Sequence, residues 1–204
     1  MKLIVASGNK DKIREIKSIF TNYEILSLKD INLDIDIEET GSTFEENAYI
    51  KAKAIYDMIG EMVLADDSGI EIEELNWKPG IYSARFAGNH DDEANNDLVL
   101  EKLKGKTNRT ARYTCALCIF YKDGSHQIIK DHCYGKITHE RMGTGGFGYD
   151  PLFYLEEIGK TFGQVSLEEK NKYSHRAKAL RKLREVLKWE FYWLVIVTLV
   201  IYLR

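Results

Sequence analysis

Met62-Val63-Leu64-Ala65-Asp66-Asp67-Ser68-Gly69 sets a short apolar run directly against two adjacent aspartates, a serine and a glycine. The apolar run is too short for a helix and reads as a buried strand, with the acidic segment as the turn that ends it. In an open α/β sheet the carboxyl ends of strands are where ligands bind. Two neighbouring carboxylates there repel each other and are poorly solvated, which a bound cation relieves. The plainer alternative is an Asx-type turn in which one aspartate caps the next element.

Working towards the N-terminus, Thr43 and Glu46 have capping-box spacing, and Phe44, Ala48, Ala52, Ile55 and Ile59 recur at helical intervals until Gly60. Leu3-Ile4-Val5-Ala6 reads as another buried strand, broken by Ser7-Gly8-Asn9. That break caps a helix carrying Ile13, Ile16 and Ile19 or Phe20, and residues 24–28 form the next strand. A β-α-β unit results. Towards the C-terminus, Pro79-Gly80 leads to a helix near residues 93–104. Two long alternating segments, 110–121 and 127–137, are joined by the hairpin signature Lys122-Asp123-Gly124-Ser125. The last section is helical, with Leu180, Leu183 and Leu187 on one face. The fold class is α/β, a central mixed β-sheet with a long hairpin, flanked by helices.

Composition narrows the function. The 204 residues carry a net charge of -3, against the strongly basic balance of a protein that coats nucleic acid, though a local Lys/Arg cluster still suits a nucleotide. The chain has only two prolines and no Ser/Gly-rich linker. Cys115 and Cys118 form a C-x-x-C, but residues three apart on a strand diverge to opposite faces, so they read as core thiols rather than as a metal or redox pair. Met1-Lys2-Leu3-Ile4-Val5 turns polar too quickly for a signal peptide, and a reducing, cytoplasmic compartment is expected.

Three further segments combine chemistry with element ends. Ser7-Gly8-Asn9-Lys10-Asp11-Lys12 lies at a strand-to-helix junction, where backbone N–H groups and the helix dipole attract anions and Lys12 adds charge. An ordinary helix cap with a solvated lysine explains the same residues. In Gly143-Thr144-Gly145-Gly146-Phe147-Gly148-Tyr149-Asp150, glycines expose backbone donors and Phe147 offers a flat face to a base. Tyr149 and Asp150 supply polar groups suited to a base edge; the alternative is a loop that Phe147 anchors in the core. Lys170, His175 and Arg176 cluster beside Ser174, a pattern that on a surface helix is usually solvated, with His175 serving as a cap.

These segments together resemble the inosine triphosphate pyrophosphatase family, the noncanonical purine NTP pyrophosphatases. The similarity runs through Ser7-Gly8-Asn9 with Lys12 and Glu15, then Glu38-Glu39-Thr40-Gly41-Ser42-Thr43-Phe44-Glu45-Glu46-Asn47-Ala48, then Ala65-Asp66-Asp67-Ser68-Gly69. It continues through Pro79-Gly80-Ile81-Tyr82-Ser83-Ala84-Arg85, Gly145-Gly146-Phe147-Gly148-Tyr149-Asp150-Pro151, and Glu168-Glu169-Lys170 followed by Ser174-His175-Arg176. Any one motif is weak; their shared order along one chain is specific.

The resemblance implies two lobes around a nucleotide cleft, hydrolysis of ITP, dITP and XTP to the monophosphate and pyrophosphate, and a homodimer. It implies Asp67 as the base that activates water, and Glu39 with Asp67 as ligands of Mg²⁺. Ser7, Gly8, Asn9, Lys10, Asp11, Lys12 and Ser68 would hold the triphosphate. Phe147, Gly148, Tyr149, Asp150, Lys170, His175 and Arg176 would hold the base and phosphates. The role of Asp66 stays open between assisting the metal and shaping the turn.

Ser7 stands where the family usually has Thr, keeping the hydroxyl, and Gly163-Gln164 replaces a common Ala-Glu. The catalytic domain is read as residues 1–188. The hydrophobic tail 189–204 extends past the family's usual end and is shorter than the ~20 residues a bilayer-spanning helix needs. A buried element, a dimer contact and a membrane contact all remain open for it. Two rivals to the pyrophosphatase are a non-catalytic nucleotide sensor and an enzyme of pyrimidine or other modified nucleotides.

Overall fold

The computed structural model describes residues 1–88 and 90–202, with side chains described to residue 188. Strands β1 (Lys2–Val5), β2 (Glu24–Ser27) and β3 (Val63–Ile72) form a parallel trio with β1 central. Antiparallel strands continue the sheet: β5 (Thr110–Phe120), β6 (His126–Ile137), β7 (Phe153–Leu155) and β8 (Lys160–Thr161). The order is β2-β1-β3-β5-β6-β7-β8, and the two-residue β4 (Lys78–Pro79) pairs with the far end of β3. This is the expected mixed sheet with its long hairpin.

Helices cover both faces. On one, α1 (Lys10–Ile19) and α5 (His175–Tyr202) bury Ile16, Leu180, Leu183 and Leu187 against Leu3, Leu64 and Leu117. On the other, α2 (Phe44–Ile59) buries Phe44, Ala48, Ala52 and Ile55 against Ile4, Ala65 and Ala116. A third cluster, including Ile70, Val99, Tyr113 and Phe153, fills the far half of the hairpin beneath α3 (Asp92–Lys102). The sheet is continuous through both halves. Cys115 and Cys118 lie in the two opposite-face clusters, as the strand period requires, and are free thiols.

Local chemistry explains the helix starts. The Asn9 side chain accepts from the N–H groups of Asp11 and Lys12, at 2.9 and 3.1 Å. Thr43 accepts from Glu46 N–H at 3.1 Å, but the Glu46 carboxylate reaches one residue further than the box predicts, to the N–H and hydroxyl of Ser42. Ser174 separates α4 (Leu167–Tyr173) from α5 and caps the latter through Ala177 N–H, so Ser174 and not His175 is the cap.

One reading is overturned. Asp66-Asp67-Ser68-Gly69 is no turn: β3 runs through it to Ile72, every residue of it in register with β5. Ile70 and Ile72 continue the buried run, and cations distant in sequence, Lys12 and Arg176, satisfy Asp66. The tail reading rests on side chains outside those described, although α5 itself extends to Tyr202 as helix rather than strand. Among the described residues no helix is long and apolar enough to cross a membrane.

Candidate active site

Because β3 is extended through its acidic segment, adjacent aspartates project to opposite faces of the sheet. Asp66 points to the α1/α5 side, Asp67 to the α2 side. They are not one metal-binding pair, and each has its own cations.

Asp66 is completely buried. Lys12 Nζ lies 2.7 Å from Oδ1, Arg176 Nε donates to Oδ2 at 2.8 Å, and the Ser68 hydroxyl donates to Oδ1 at 2.9 Å. Burial alone would raise this carboxyl, but Arg176 and then Lys12 outweigh it and hold it well below the usual 3.8. With both oxygens so engaged, Asp66 organises cations and has no place left for a metal.

The pairing continues inward. Arg176 also donates to Glu15, whose other oxygen sits 2.9 Å from Lys170 Nζ, and Lys170 reaches Asp150 at 2.6 Å. Lys12–Asp66–Arg176–Glu15–Lys170–Asp150 therefore alternates in sign across the protein, with charges in balance. Arg176, Lys170 and His175 are buried, contrary to the expectation of a solvated helix face. Burial, reinforced by Arg176 and Lys170, holds His175 well below its ordinary 6.5, so it is a neutral imidazole. Its ring stacks on Tyr113 at 4.6 Å and 8°, and its Nδ1 has no protein partner.

On the α2 side the charges do not balance. Lys51 Nζ is 2.6 Å from Glu39 Oε1, 3.4 Å from Asp67 Oδ1 and 3.0 Å from the Asp66 carbonyl oxygen, one cation for two carboxylates. Asp67 Oδ2 is buried without a hydrogen-bond partner. Burial raises the Asp67 carboxyl above 3.8, with Glu39 and Asp66 adding to this and Lys51 and Lys12 opposing it. An orphaned, basic oxygen beside a second carboxylate fits one face of a hard divalent cation. Among the described residues no three His, Cys, Asp or Glu side chains converge on a metal position. Mg²⁺ commonly takes one or two protein carboxylates and completes its shell with water and substrate phosphate, so a two-carboxylate set suits it.

Both systems open onto one cleft of about 660 Å³, within the range of small-molecule sites. Ser7, Gly8, Asn9 and Lys12 line it at the β1–α1 junction, and Glu39, Asp67 and Ser68 line its floor. Phe147, Gly148, Tyr149 and Asp150 come from the glycine-rich loop, and Lys170, His175 and Arg176 from the α4–α5 junction. Lys10 and Asp11 are not in the lining; Asp11 pairs with Arg14 at 2.8 Å. Asn9 itself takes the helix N–H groups of Asp11 and Lys12, so these two donors of the α1 terminus are already engaged.

Two polar groups of the glycine-rich loop are already engaged. The Tyr149 hydroxyl donates to the Ser83 carbonyl at 2.7 Å, and Asp150 accepts from Phe147 N–H at 2.9 Å as well as from Lys170. They shape the loop, and the Phe147 ring beside them lies 4.4 Å from Lys170 Nζ and 5.7 Å from the Arg176 guanidinium carbon. Lys51 was missed in the sequence, yet a signal exists: it lies on the helical stripe of Phe44, Ala48 and Ile55, where a lysine is out of place. His90 and Asp92 also line the cleft, and nothing in their local sequence marks them.

Residues 3–186 match the model of the Ham1 family. The chain is 47% identical over 186 residues to the dITP/XTP pyrophosphatase of Exiguobacterium sp., covering 90% of this chain and 95% of that protein. To the Bacillus subtilis dITP/XTP pyrophosphatase it is 45% identical over 190 residues, 91% and 96% of the respective chains. The solved Ham1 protein of Staphylococcus aureus superposes with a TM-score of 0.85 at 41% identity, covering 93% of this chain and all of that one. A Ham1 protein from Coxiella burnetii gives 0.84 at 35% identity, with coverage of 92% and 98%.

Proposed function

Because the chain belongs to the Ham1 family, we infer that it is a nucleoside-triphosphate pyrophosphatase. It hydrolyses noncanonical purine nucleoside triphosphates (ITP, dITP, XTP) to the monophosphate and pyrophosphate, clearing them from the nucleotide pool. The observation that carries the mechanism is the unpartnered, buried Asp67 Oδ2 on the cleft floor.

Asp67 is the general base in this reading. Its orphaned Oδ2 lies on the cleft floor among the phosphate-binding residues, where it can take a proton from water. Water oxygen bonds to the α-phosphorus, the bond from that phosphorus to the pyrophosphate oxygen breaks, and the water proton passes to Asp67. Glu39 and Asp67 would hold Mg²⁺, which when bound neutralises phosphate charge and orients the oxygens. Ser7, Gly8, Ser68 and Lys12 bind the phosphates, and Lys51 adds a second ammonium beside the reacting group. Phe147 stacks on the base, while Lys170, His175 and Arg176 surround its edge. A donor aimed at a 6-keto oxygen is left unpaired by the 6-amino group of adenine, a penalty of roughly 1–3 kcal/mol in a dry site.

The catalytic unit is residues 1–188, supported by a family match that ends at residue 186. A reducing, cytoplasmic setting accords with three buried free thiols. A homodimer is the proposed assembly, and exposed Trp77 and Tyr134, with Arg112 stacked 4.6 Å from the Trp77 ring centroid, are its favoured contact patch. Turnover in ¹⁸O-water tests the chemistry: the label is expected in the monophosphate. Label in the pyrophosphate would place attack at the β-phosphorus and remove Asp67 from its assigned role.

A further inference from the structure

Asn95 and Asn96 are adjacent, almost fully buried, and absent from the cleft lining. Buried amides inside a helix are costly unless their hydrogen bonds are made. Asn95 accepts from Ala87 N–H at 2.7 Å and donates to the Ala84 carbonyl at 3.1 Å, fixing the segment after Ser83. Asn96 Nδ2 donates to the Gly148 carbonyl at 2.9 Å, and the Asp92 carboxylate, one turn earlier, accepts from Gly148 N–H at 2.7 Å. Gly148 is thus gripped at both its donor and its acceptor by successive turns at the start of α3. Its φ of +61° is a left-handed conformation that needs such definition. Arg141 ties the other end of the same loop to α3, donating to the Glu93 carbonyl at 3.0 Å and to Asp97 at 2.8 Å.

We propose that Asn96, aided by Asp92, is a positioning residue for the base end of the cleft: its grip on Gly148 holds the neighbouring Phe147 ring in the plane where the purine stacks. Asn96 touches no substrate and acts through Phe147. The inference rests on the reading of Phe147 as the stacking face, and its test separates the two.

Asn96→Asp keeps the side-chain size and replaces the Nδ2 donor with an oxygen facing the Gly148 carbonyl. Asn96 Nδ2 also donates to the Asp92 carbonyl at 2.8 Å, so two hydrogen bonds of the buried amide are lost. KM for ITP is expected to rise about tenfold or more, while kcat changes less than about twofold. Inhibition by inorganic pyrophosphate, which probes only the phosphate end, is expected to stay as in the parent. On a Phe147→Ala background the same substitution is expected to leave KM where Phe147→Ala alone puts it. Additive losses, or a weakening of pyrophosphate inhibition in step with KM, overturn the proposal. An unchanged KM in Asn96→Asp overturns it alone when Phe147→Ala raises KM; an unchanged KM in Phe147→Ala overturns the stacking reading and the proposal with it. Should Asn96→Asp fail to fold, Asp92→Ala, at an exposed position, releases Gly148 N–H and carries the same expectations.

Discussion

Replacing Asp66 by asparagine keeps shape and removes one charge from the centre of the protein. Lys12 at 2.7 Å and Arg176 at 2.8 Å then face a neutral amide, and the alternating chain of three carboxylates and three cations gains a net positive charge away from water. Breaking a buried ion pair by removing one partner costs about 3–5 kcal/mol. The upper part of that range applies, since Asp66 serves two cations and its side chain is wholly buried. At roughly 2–4 °C per kcal/mol for a domain of this size, a cost of about 4–5 kcal/mol should lower the melting temperature by about 8–20 °C.

The pH dependence follows from sign. The folded-state pKa is depressed well below 3.8, so the Asp66 contribution is present above 3.8 and is lost as pH falls through the folded value. The parent should lose stability in that acid range, and the variant should show a shallower loss. Differential scanning calorimetry across pH reads both effects. A variant within about 1 kcal/mol of the parent at neutral pH would refute the claim that Asp66 is the structural anchor of Lys12 and Arg176.

Two other substitutions probe the site's frame and its metal side. A Cβ built on Gly69 would stand 2.5 Å from the Gly80 carbonyl oxygen and against the Ser83 hydroxyl, so Gly69→Ala should cost about 2–4 kcal/mol in urea unfolding through forced separation of β3 from the 80–85 turn. A variant with parent stability would show that this turn moves aside freely. Glu39→Gln should raise the Mg²⁺ concentration for half-maximal rate by about tenfold or more while changing the melting temperature little, because Glu39 is partly exposed. Metal titration of the initial rate checks it, and an unchanged requirement would remove Glu39 from the metal shell.

The elements that were legible in the sequence are those set by local rules. The spacing from Thr43 to Gly60 carries α2, and Asp123-Gly124 between two alternating runs carries the hairpin. Asp66-Asp67-Ser68-Gly69 misled because these residue types favour turns and are depleted in strands. What overrides them is Arg176, 110 positions away, together with full-length pairing to β5. The same distance effect hides the burial of Lys170, His175 and Arg176: their partners Glu15, Tyr113 and Asp66 lie on other elements, and a helical wheel sees none of them. The motifs that share an order along the chain do meet at the cleft, apart from Lys10 and Asp11, while Lys51, His90 and Asp92 line it without a motif to mark them. The division of labour between Asp66 and Asp67 was not legible, because it depends on β3 remaining extended and sending them to opposite faces.

The most direct measurement is pyrophosphate release from ITP, dITP, XTP, ATP and GTP with Mg²⁺, run in parallel on the parent and on Asp67→Asn. The account predicts fast release from the three noncanonical substrates, slow release from ATP and GTP, and loss of turnover in Asp67→Asn with ITP binding retained. Equal turnover of all five nucleotides, or an Asp67→Asn enzyme that still turns over ITP at the parent rate, would contradict it.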